Sequence, residues 1–492
     1  MKTLFLVLCL CVVSAALSDG SGPLRTLLVR IDRVSPERLL KSGLVTIAED
    51  APAGVISLVR DTALVIMSRN EYELFRERGF QCSIVLEDTS TIRLFRRAAY
   101  GPSFRLEKPY HSYDMIRHEL DSLQHRYPSL VRMFTIGRTT VGKRDIVAVK
   151  IASHVERESD RPSILFDGCH HSNELMGGEI CLAIAHELTS LYGVDPQVTR
   201  WLDQWQIYIV PVVNVDGHEM VTSGRDPRWR KNTHSPGGSA EAQFPYGVDL
   251  NRNYDFNWAF GGSGDPSSDR YRGPFPFSES ESRAFAQFAH AHRFLVSVTY
   301  HSFGEVVYYP WTWNGRQAPD ENLLTSIARG LAGSIRTMNG DSTYRAEFGA
   351  GLVGQTYPWL YGTLGTFDFV VETGKGAMVF PPYEVEGIIK ANLNGVRYML
   401  GRVDGPGLVV RVKDAATGKP LEAEVRFPWI ETAELRPRMT DPAYGELRRL
   451  LLPGTYECQV VRSGYRTSVL NDISVGTAGW TQKTVELVRE GD

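Results

Sequence analysis

The stretch Asp167-Gly168-Cys169-His170-His171-Ser172-Asn173-Glu174 brings two imidazoles and a carboxylate into one short segment. An apolar run over 162–166 leads into it and stops at Gly168, and a helix-like segment comes after. His171 and Glu174 are the pair that chemistry singles out. A borderline metal such as zinc takes imidazole nitrogen and carboxylate oxygen from one segment and a third ligand from elsewhere. Taken alone, a His-x-x-Glu pair is more often a polar loop or helix face, so its meaning rests on what the rest of the chain brings to it.

The elements that must position this pair alternate. A helix is expected over 111–127, with Met115, Ile116, Leu120 and Leu123 at helical spacing and Pro128 stopping it. Strands are expected at 130–136, 146–151, 164–167 and 205–213, and a helix at 178–192. Further helices at 279–292, 321–339 and 384–400, and strands at 294–300 and 365–372, complete an α/β domain. The very apolar strand at 205–213 lacks period-two alternation, which suits a sheet covered on both faces, so a mixed, largely buried sheet flanked by helices is expected. In such sheets ligands collect at the carboxyl ends of strands. Glu174 follows one strand, Asn214 and Asp216 a second, His301 caps a third and Glu372 ends a fourth. A single strand-end histidine is commonly structural; several His and Glu at the ends of buried strands in one domain point to a site. Between them lie Arg228-Trp229-Arg230-Lys231-Asn232 and Asp249-Leu250-Asn251-Arg252-Asn253. Basic runs are ordinarily solvated, which is the expectation for Arg228 and Lys231.

The chain of 492 residues is long enough for several domains and a core without disulfide staples. A net charge of -3, from 54 basic and 57 acidic residues, gives no electrostatic footprint for nucleic acid. Residues 1–18 carry an early lysine, an apolar centre and small residues at the end, the pattern of a cleaved secretory leader. The expected location is therefore secreted or periplasmic, and no later run is apolar enough to span a bilayer. Cys82, Cys169, Cys181 and Cys458 remain after the leader, and four cysteines permit three complete pairings, a Cys169–Cys181 bridge among them.

Residues 19–104 read as β-α-β-β-α-β, a small ferredoxin-like sheet with a short helix at 36–40, followed by a basic connector through Arg96-Arg97. In a secreted chain this is the layout of a removable prosegment, with a permanent N-terminal domain as the alternative. The α/β domain is expected to span 105–402. Residues 403–492 form a run of short strands with regular turns, expected to be a β-sandwich.

The segments His171-Ser172-Asn173-Glu174, Trp229-Arg230-Lys231-Asn232, Asp249-Leu250-Asn251-Arg252-Asn253, Tyr300-His301-Ser302-Phe303 and Phe369-Val370-Val371-Glu372 occur in the order and approximate spacing of zinc metallocarboxypeptidases of the funnelin group. The resemblance covers residues 108–402 and includes Gly137-Arg138-Thr139-Thr140-Val141-Gly142 near its start. The front domain and Tyr308-Tyr309-Pro310 resemble the digestive and bacterial secreted members more than the prohormone processors. The last domain resembles the transthyretin-like or regulatory-like module behind some carboxypeptidases, where a structural or cell-surface role is expected.

Carried over position by position, the resemblance implies His171, Glu174 and His301 as ligands of one zinc ion. It implies Glu372 as general base, Arg230 as the residue that polarises the scissile carbonyl, and Asn251 with Arg252 as readers of a free α-carboxylate. Tyr344 corresponds to a mobile tyrosine that covers the bound terminus, with extra residues between it and Glu372. Thr356 and Tyr357 fall near the positions that set side-chain preference, with no acid among them, which favours apolar or aromatic C-terminal residues; Asp368 and Glu347 are the acids near enough in sequence to change that. Asn173 stands where many members have arginine, and Phe303 where tyrosine is common. The implied activity is removal of one C-terminal amino acid from peptides and proteins by a monomer. Two alternatives remain: hydrolysis of γ-D-glutamyl-diaminopimelate bonds in cell-wall peptides, and a non-catalytic surface or carbohydrate-binding protein on the same scaffold. The second would follow from loss of Glu372 or a ligand, and all are present.

Overall fold

Leu27, Val29 and Ile31 stand two residues apart in Thr26–Asp32 (β1), so the strand buries all three on one face. With Val55–Val59 (β2), Thr62–Ser68 (β3) and Gln81–Glu87 (β4) it forms an antiparallel sheet in the order β2-β3-β1-β4. Helix Arg69–Glu77 (α1) closes a separate small core by packing Tyr72 and Phe75 against it. The computed structural model describes residues 26–34, 55–59, 62–87, 110–157, 159–235, 246–313, 316–350, 353–430, 432, 434–436 and 438–491. The expected leader, the helix at 36–40 and the basic connector lie outside the described residues.

The next unit begins with Tyr113–Arg126 (α2), whose N-cap Ser112 accepts a hydrogen bond from the Met115 amide. Strands Val131–Arg138 (β5), Asp145–Ile151 (β6) and Ser163–Gly168 (β7) come next, then helices Met176–Leu191 (α3) and Pro196–Gln204 (α4) and strand Gln206–Val210 (β8). Helix Val215–Thr222 (α5) and helix Ser280–His292 (α6) precede Val296–His301 (β9), Val306–Trp313 (β10) and Arg316–Gln317 (β11). Helix Glu321–Ser334 (α7), strand Arg345–Ala350 (β12), the short helix Thr356–Trp359 (α8) with its π-helical continuation Leu360–Leu364, strand Phe367–Glu372 (β13) and helix Pro382–Leu400 (α9) complete it.

The sheet order is β11-β10-β13-β9-β7-β8-β6-β5, with β12 parallel to β10. Strands β13, β9, β7 and β8 are parallel to one another, and the outer pairs are antiparallel, so the sheet is mixed as expected. Every residue of β7, β9 and β13 is buried, the polar Asp167, Ser297, Thr299 and Asp368 included, because helices cover both faces of the sheet. Helix α3 packs on β7 and β9, α7 on β10 and β12, and α6 on β5. Helices α4 and α5 lie where no helix is expected from the sequence. For α4 the Asp195-Pro196 start is a capping signature, since Asp195 accepts from the amides of Gln197 and Val198.

The last unit pairs two sheets. Gly407–Asp414 (β14), Glu446–Leu450 (β17) and Trp480–Leu487 (β20) form one, in the order β17-β14-β20. Glu424–Arg426 (β15), Arg438–Met439 (β16), Gly454–Val461 (β18) and Ser468–Val475 (β19) form the other, in the order β16-β15-β18-β19. Leu408, Val410, Val425, Phe427, Val460, Ile473 and Val485 fill the space between them. Cys82, Cys169, Cys181 and Cys458 are free thiols, so the Cys169–Cys181 bridge that the count allowed is absent.

One buried acid in this framework gives the protein a pH dependence. Glu281, in the first turn of α6, accepts a hydrogen bond from the Thr140 hydroxyl at 2.5 Å through Oε2, and its Oε1 has no hydrogen-bond partner among the described residues. Burial pushes its carboxyl up to about 7, against the Thr140 hydrogen bond and with help from Glu279. The native state therefore favours the protonated form. That contribution is complete below the unfolded-state value near 4.5 and is lost as pH rises through 7. Glu281→Gln should remove a loss on the order of 3 kcal/mol between pH 5 and pH 8. Denaturant unfolding of both proteins at the two pH values checks this; identical pH dependence would refute it.

Candidate metal centre and catalytic site

Strands β7, β9 and β13 end side by side. In the parallel register Gly168 faces Tyr300, and His301 faces Glu372, so three chain-distant segments deliver their polar ends to one edge. After β7 the chain turns through Cys169, which has φ 54°, and Gly168 packs against Gly177 at the start of α3. A Cβ on Gly168 would stand 2.6 Å from the Gly177 carbonyl carbon, so a side chain there would push the helix off the strand end. His171 and Glu174 lie in the short connection that this close approach permits.

His171, Glu174 and His301 form a buried group whose donor atoms all lie within 4.8 Å of one another. His171 Nδ1 is 2.9 Å from Glu174 Oε1, and His301 Nδ1 is 2.7 Å from Glu174 Oε2. The two Nδ1 atoms are only 3.1 Å apart. Two imidazole nitrogens converging at that separation on one carboxylate make a poor hydrogen-bonded cluster and a good N,N,O donor set for a borderline cation. The residues present therefore fit zinc. Burial would raise the Glu174 carboxyl, yet the His171 and His301 imidazoles hold it well below the usual carboxylate range, so it is an anion. The Ser302 amide also donates to Oε2 at 3.1 Å, fixing the rotamer.

Asp249 is the contributor whose role sequence reasoning missed, although it lies in a quoted motif. Its Oδ1 is 3.2 Å from His171 Nε2 and accepts from the Asn251 amide at 2.9 Å; its Oδ2 accepts from Arg230 Nη2 at 3.2 Å. A carboxylate on Nε2 leaves Nδ1 of His171 as the ligating nitrogen. Burial opposes ionisation of Asp249, and Arg230, His171 and Arg252 overcome it, so its carboxyl lies well below its ordinary value. Arg230 also donates from Nη1 to Glu174 Oε1 at 3.3 Å, which brings it to the same centre.

The surrounding polar residues hold the loops. Ser172 donates through its hydroxyl to the Trp229 carbonyl at 2.6 Å and through its amide to the Arg230 carbonyl at 3.0 Å. Asn214 caps α5 through the Gly217 amide, while its side-chain amide donates to the carbonyls of His170 and Arg230. His170 lies outside the donor group, with Nε2 2.9 Å from the Tyr254 hydroxyl. Lys231, expected in solvent, is instead buried, because its ammonium donates to the Ser268 and Pro266 carbonyls at 2.6 and 3.3 Å.

Asn251 and Arg252 are both buried beside the donor group, on a 3₁₀ turn. Asn251 Oδ1 accepts from the Thr356 amide and hydroxyl at 3.0 and 3.3 Å, and its Nδ2 is 3.3 Å from His301 Nε2. Arg252 Nη1 donates to the Asn251 carbonyl at 2.7 Å. Thr356 is thus joined to the site through Asn251, whereas Tyr357 is buried in a satellite cluster with Val306, Tyr308 and Val370. Glu372 is buried at the end of β13. Tyr344 is not brought to this group as a cover: its ring sits in the main core, and its hydroxyl accepts from the Gly374 amide at 2.9 Å. Asp368 faces Thr299 and its own following amide, and Glu347 pairs with Arg345 at the surface. Asn173 is buried, with an Oδ1 that has no hydrogen-bond partner among the described residues.

The sequence profile of the zinc carboxypeptidase family matches residues 116–395. Carboxypeptidase A2 of Mus musculus is 31% identical over 289 residues, which are 56% of this chain and 66% of that protein. Carboxypeptidase B of Bos taurus is 26% identical over 304 residues, 60% of this chain and 70% of that protein. The chain therefore spans about two thirds of the length of these relatives. The crystal structure of thrombin activatable fibrinolysis inhibitor aligns with a TM-score of 0.56 at 20% identity, covering 77% of this chain and 99% of that one. Carboxypeptidase A from Helicoverpa armigera aligns with a TM-score of 0.56 at 19% identity, covering 77% and 97%. At these identities the two structures bear on the fold.

The geometry makes Asp249 a determinant of metal affinity. Asp249→Asn should weaken zinc binding by roughly 10–100-fold while the fold persists. Chelator competition measures it, and an unchanged affinity would remove Asp249 from the site.

Proposed function

The chain belongs to the zinc carboxypeptidase family, and from that premise we propose that it hydrolyses the last peptide bond of peptides and proteins with free C-termini. The observation that carries this reading is the buried convergence of His171, Glu174 and His301 with Glu372 one strand away and the Asn251–Arg252 pair alongside. Among the described residues no helix is long and apolar enough to cross a membrane, and the leader pattern at 1–18 supports export.

His171, Glu174 and His301 would hold the metal. When bound, zinc supplies Lewis acidity, lowering the pKa of a water and polarising a carbonyl. The remaining work falls to side chains of this chain. Glu372 accepts the proton of the attacking water on its carboxylate and returns a proton to the departing amine nitrogen. Arg230, held by Asp249 and Glu174, places fixed positive charge at the centre where the carbonyl oxygen gains negative charge. Arg252 grips the substrate α-carboxylate through its guanidinium, and Asn251, its Oδ1 already committed to Thr356, adds an N–H donor. Burial of these charges strengthens each interaction relative to water.

A preference for apolar or aromatic terminal residues has its support in the placement of the nearby acids. Asp368 is committed to Thr299 and Glu347 to Arg345, so neither provides a counter-charge for lysine or arginine beside Thr356 and Tyr357. The murein-peptide reading shares the metal and base but makes no use of an α-carboxylate reader.

Product mass spectrometry on a peptide library with free and amidated C-termini, together with murein fragments, tests the reading. Loss of single C-terminal residues from free termini only is expected; cleavage of murein fragments alone would replace the substrate class. Glu372→Gln should retain zinc and lose roughly 10²–10⁴-fold in kcat, and full activity would exclude it as the base. Arg252→Ala should lower kcat/KM for free-carboxylate peptides on the order of 100-fold and narrow the gap to amides; an unchanged ratio would reject its role.

A further inference from the structure

The helical segment Thr356–Trp359 with its continuation Leu360–Leu364 is held at both ends by different parts of the molecule. At its start, the Thr356 amide and hydroxyl fix Asn251 Oδ1, which leaves Nδ2 on the site side near His301. At its finish, the holding groups come from the C-terminal sandwich. Arg438 donates from Nη2 to the Tyr361 carbonyl at 2.9 Å and lies over the Tyr361 ring, 5.7 Å from its centroid. The Arg436 amide donates to the Gly362 carbonyl at 2.8 Å. Carbonyls in the last turn of a helix need partners, and a cation there also meets the negative end of the helix dipole.

The Tyr361 side chain carries a second tether. Its hydroxyl donates to Asp320 Oδ2 at 2.6 Å, and the same oxygen accepts from Arg449 of β17. Tyr361, Asp320 and Arg449 are all buried. The Arg449 guanidinium lies over the rings of Phe427 and Phe367, 5.3 and 5.4 Å from their centroids. Phe367 opens β13, the strand that ends in Glu372. The sandwich thus reaches, through two buried arginines, the segment that orients Asn251 and the strand that carries the proposed base.

We propose that the C-terminal sandwich is a positioning element of the active site. Through Arg438 and the Arg449–Asp320–Tyr361 chain it holds the segment 356–364, and that segment aligns Asn251 for the terminal carboxylate. The proposal rests on the peptidase reading for its kinetic consequence, and on the tethering contacts alone for its mechanical one. Arg438 and Arg449 are positioning residues, since neither contacts the donor group. Loosening the far end of the segment lets Thr356 release Asn251, which weakens recognition of the terminus and leaves the metal ligands in place.

The test uses the full chain. Arg438→Met removes the carbonyl tether, and the pair Asp320→Asn with Arg449→Met removes both charges together, so that no buried carboxylate is left without its cation. Arg438→Lys provides the conservative rescue, and Arg426→Ala, an exposed arginine of the same sandwich, is the control. Each tethering variant should raise KM for free-carboxylate peptides about tenfold, the worth of one well-placed hydrogen bond, with kcat within about threefold and zinc content unchanged. Amide hydrogen exchange should quicken at 356–364, and Arg438→Lys should restore part of both effects. A purely structural interface would instead lower the active fraction, and hence apparent kcat, at constant KM; that result in folded variants overturns the proposal. Should the wild type cleave no peptide, the peptidase reading falls, while exchange at 356–364 still decides whether the sandwich holds the segment: unchanged exchange in the variants refutes it.

Discussion

Glu174 is a fully buried carboxylate, and the rest of the site exists on the terms that this sets. An ion in that position costs several kcal/mol unless its neighbours compensate it. Here they do so from four directions, with the imidazoles of His171 and His301, the Arg230 guanidinium and the Ser302 amide. His171 is local, but Arg230 and the adjacent His301 and Ser302 come from distant parts of the chain, so the charge can be buried only when the sheet is in register. Asp249 repeats the arrangement one step out, because it is held ionised by Arg230, His171 and Arg252 and in turn aims two of them. Two anions share one guanidinium between them, which is a field that receives a divalent cation well and rejects an anion of similar size.

Close approach makes this register possible. The strand β7 can hand its chain to α3 within a few residues because Gly168 and Gly177 meet without side chains. The Ser172 hydroxyl and the Asn214 amide then stitch the ligand loop to the segment bearing Arg230. A lost methyl-sized clearance at Gly168 would therefore be felt as a misplaced Glu174 and not only as a packing defect, since ligand and contact are separated by a single short turn.

Much of this was legible from residue order. Buried strands announced themselves by predominantly apolar segments, and the candidate ligands by falling at their ends; His171, Glu174 and His301 converge as those positions implied. Contributions that depend on distant partners were not legible. Lys231 has the sequence surroundings of a surface lysine, and only the fold closes the Ser268 and Pro266 carbonyls around it. Asp249 was visible as a letter in a motif, but its two oxygens divide between partners 78 and 19 positions away. Tyr344 was placed by matching order across extra residues, and order carries no information about whether a ring faces the site or the core. The helix α4 is a different failure, because the Asp195-Pro196 cap is present and local, and the strongly apolar strand after it masks so short a helix.

The C-terminal sandwich contributes no residue to the candidate site, yet its arginines touch the segment that leads to it. Most of its core is a cluster of its own, although Leu450 of β17 joins the main core. Arg449 nevertheless passes out of that core to Asp320, and the asymmetry of buried ion pairs sets the consequence. A matched pair contributes little beyond an apolar contact of the same shape, whereas leaving one partner behind costs on the order of 3–5 kcal/mol. The catalytic domain therefore gains little from acquiring the contact and loses much by giving it up. That cost would fall on Tyr361 and the turn beside it, which lie on the segment leading back to Thr356 and Asn251. His171, Glu174 and His301 lie on other strands and loops, so under the positioning proposal a disturbance of the interface reaches Asn251 before it reaches them.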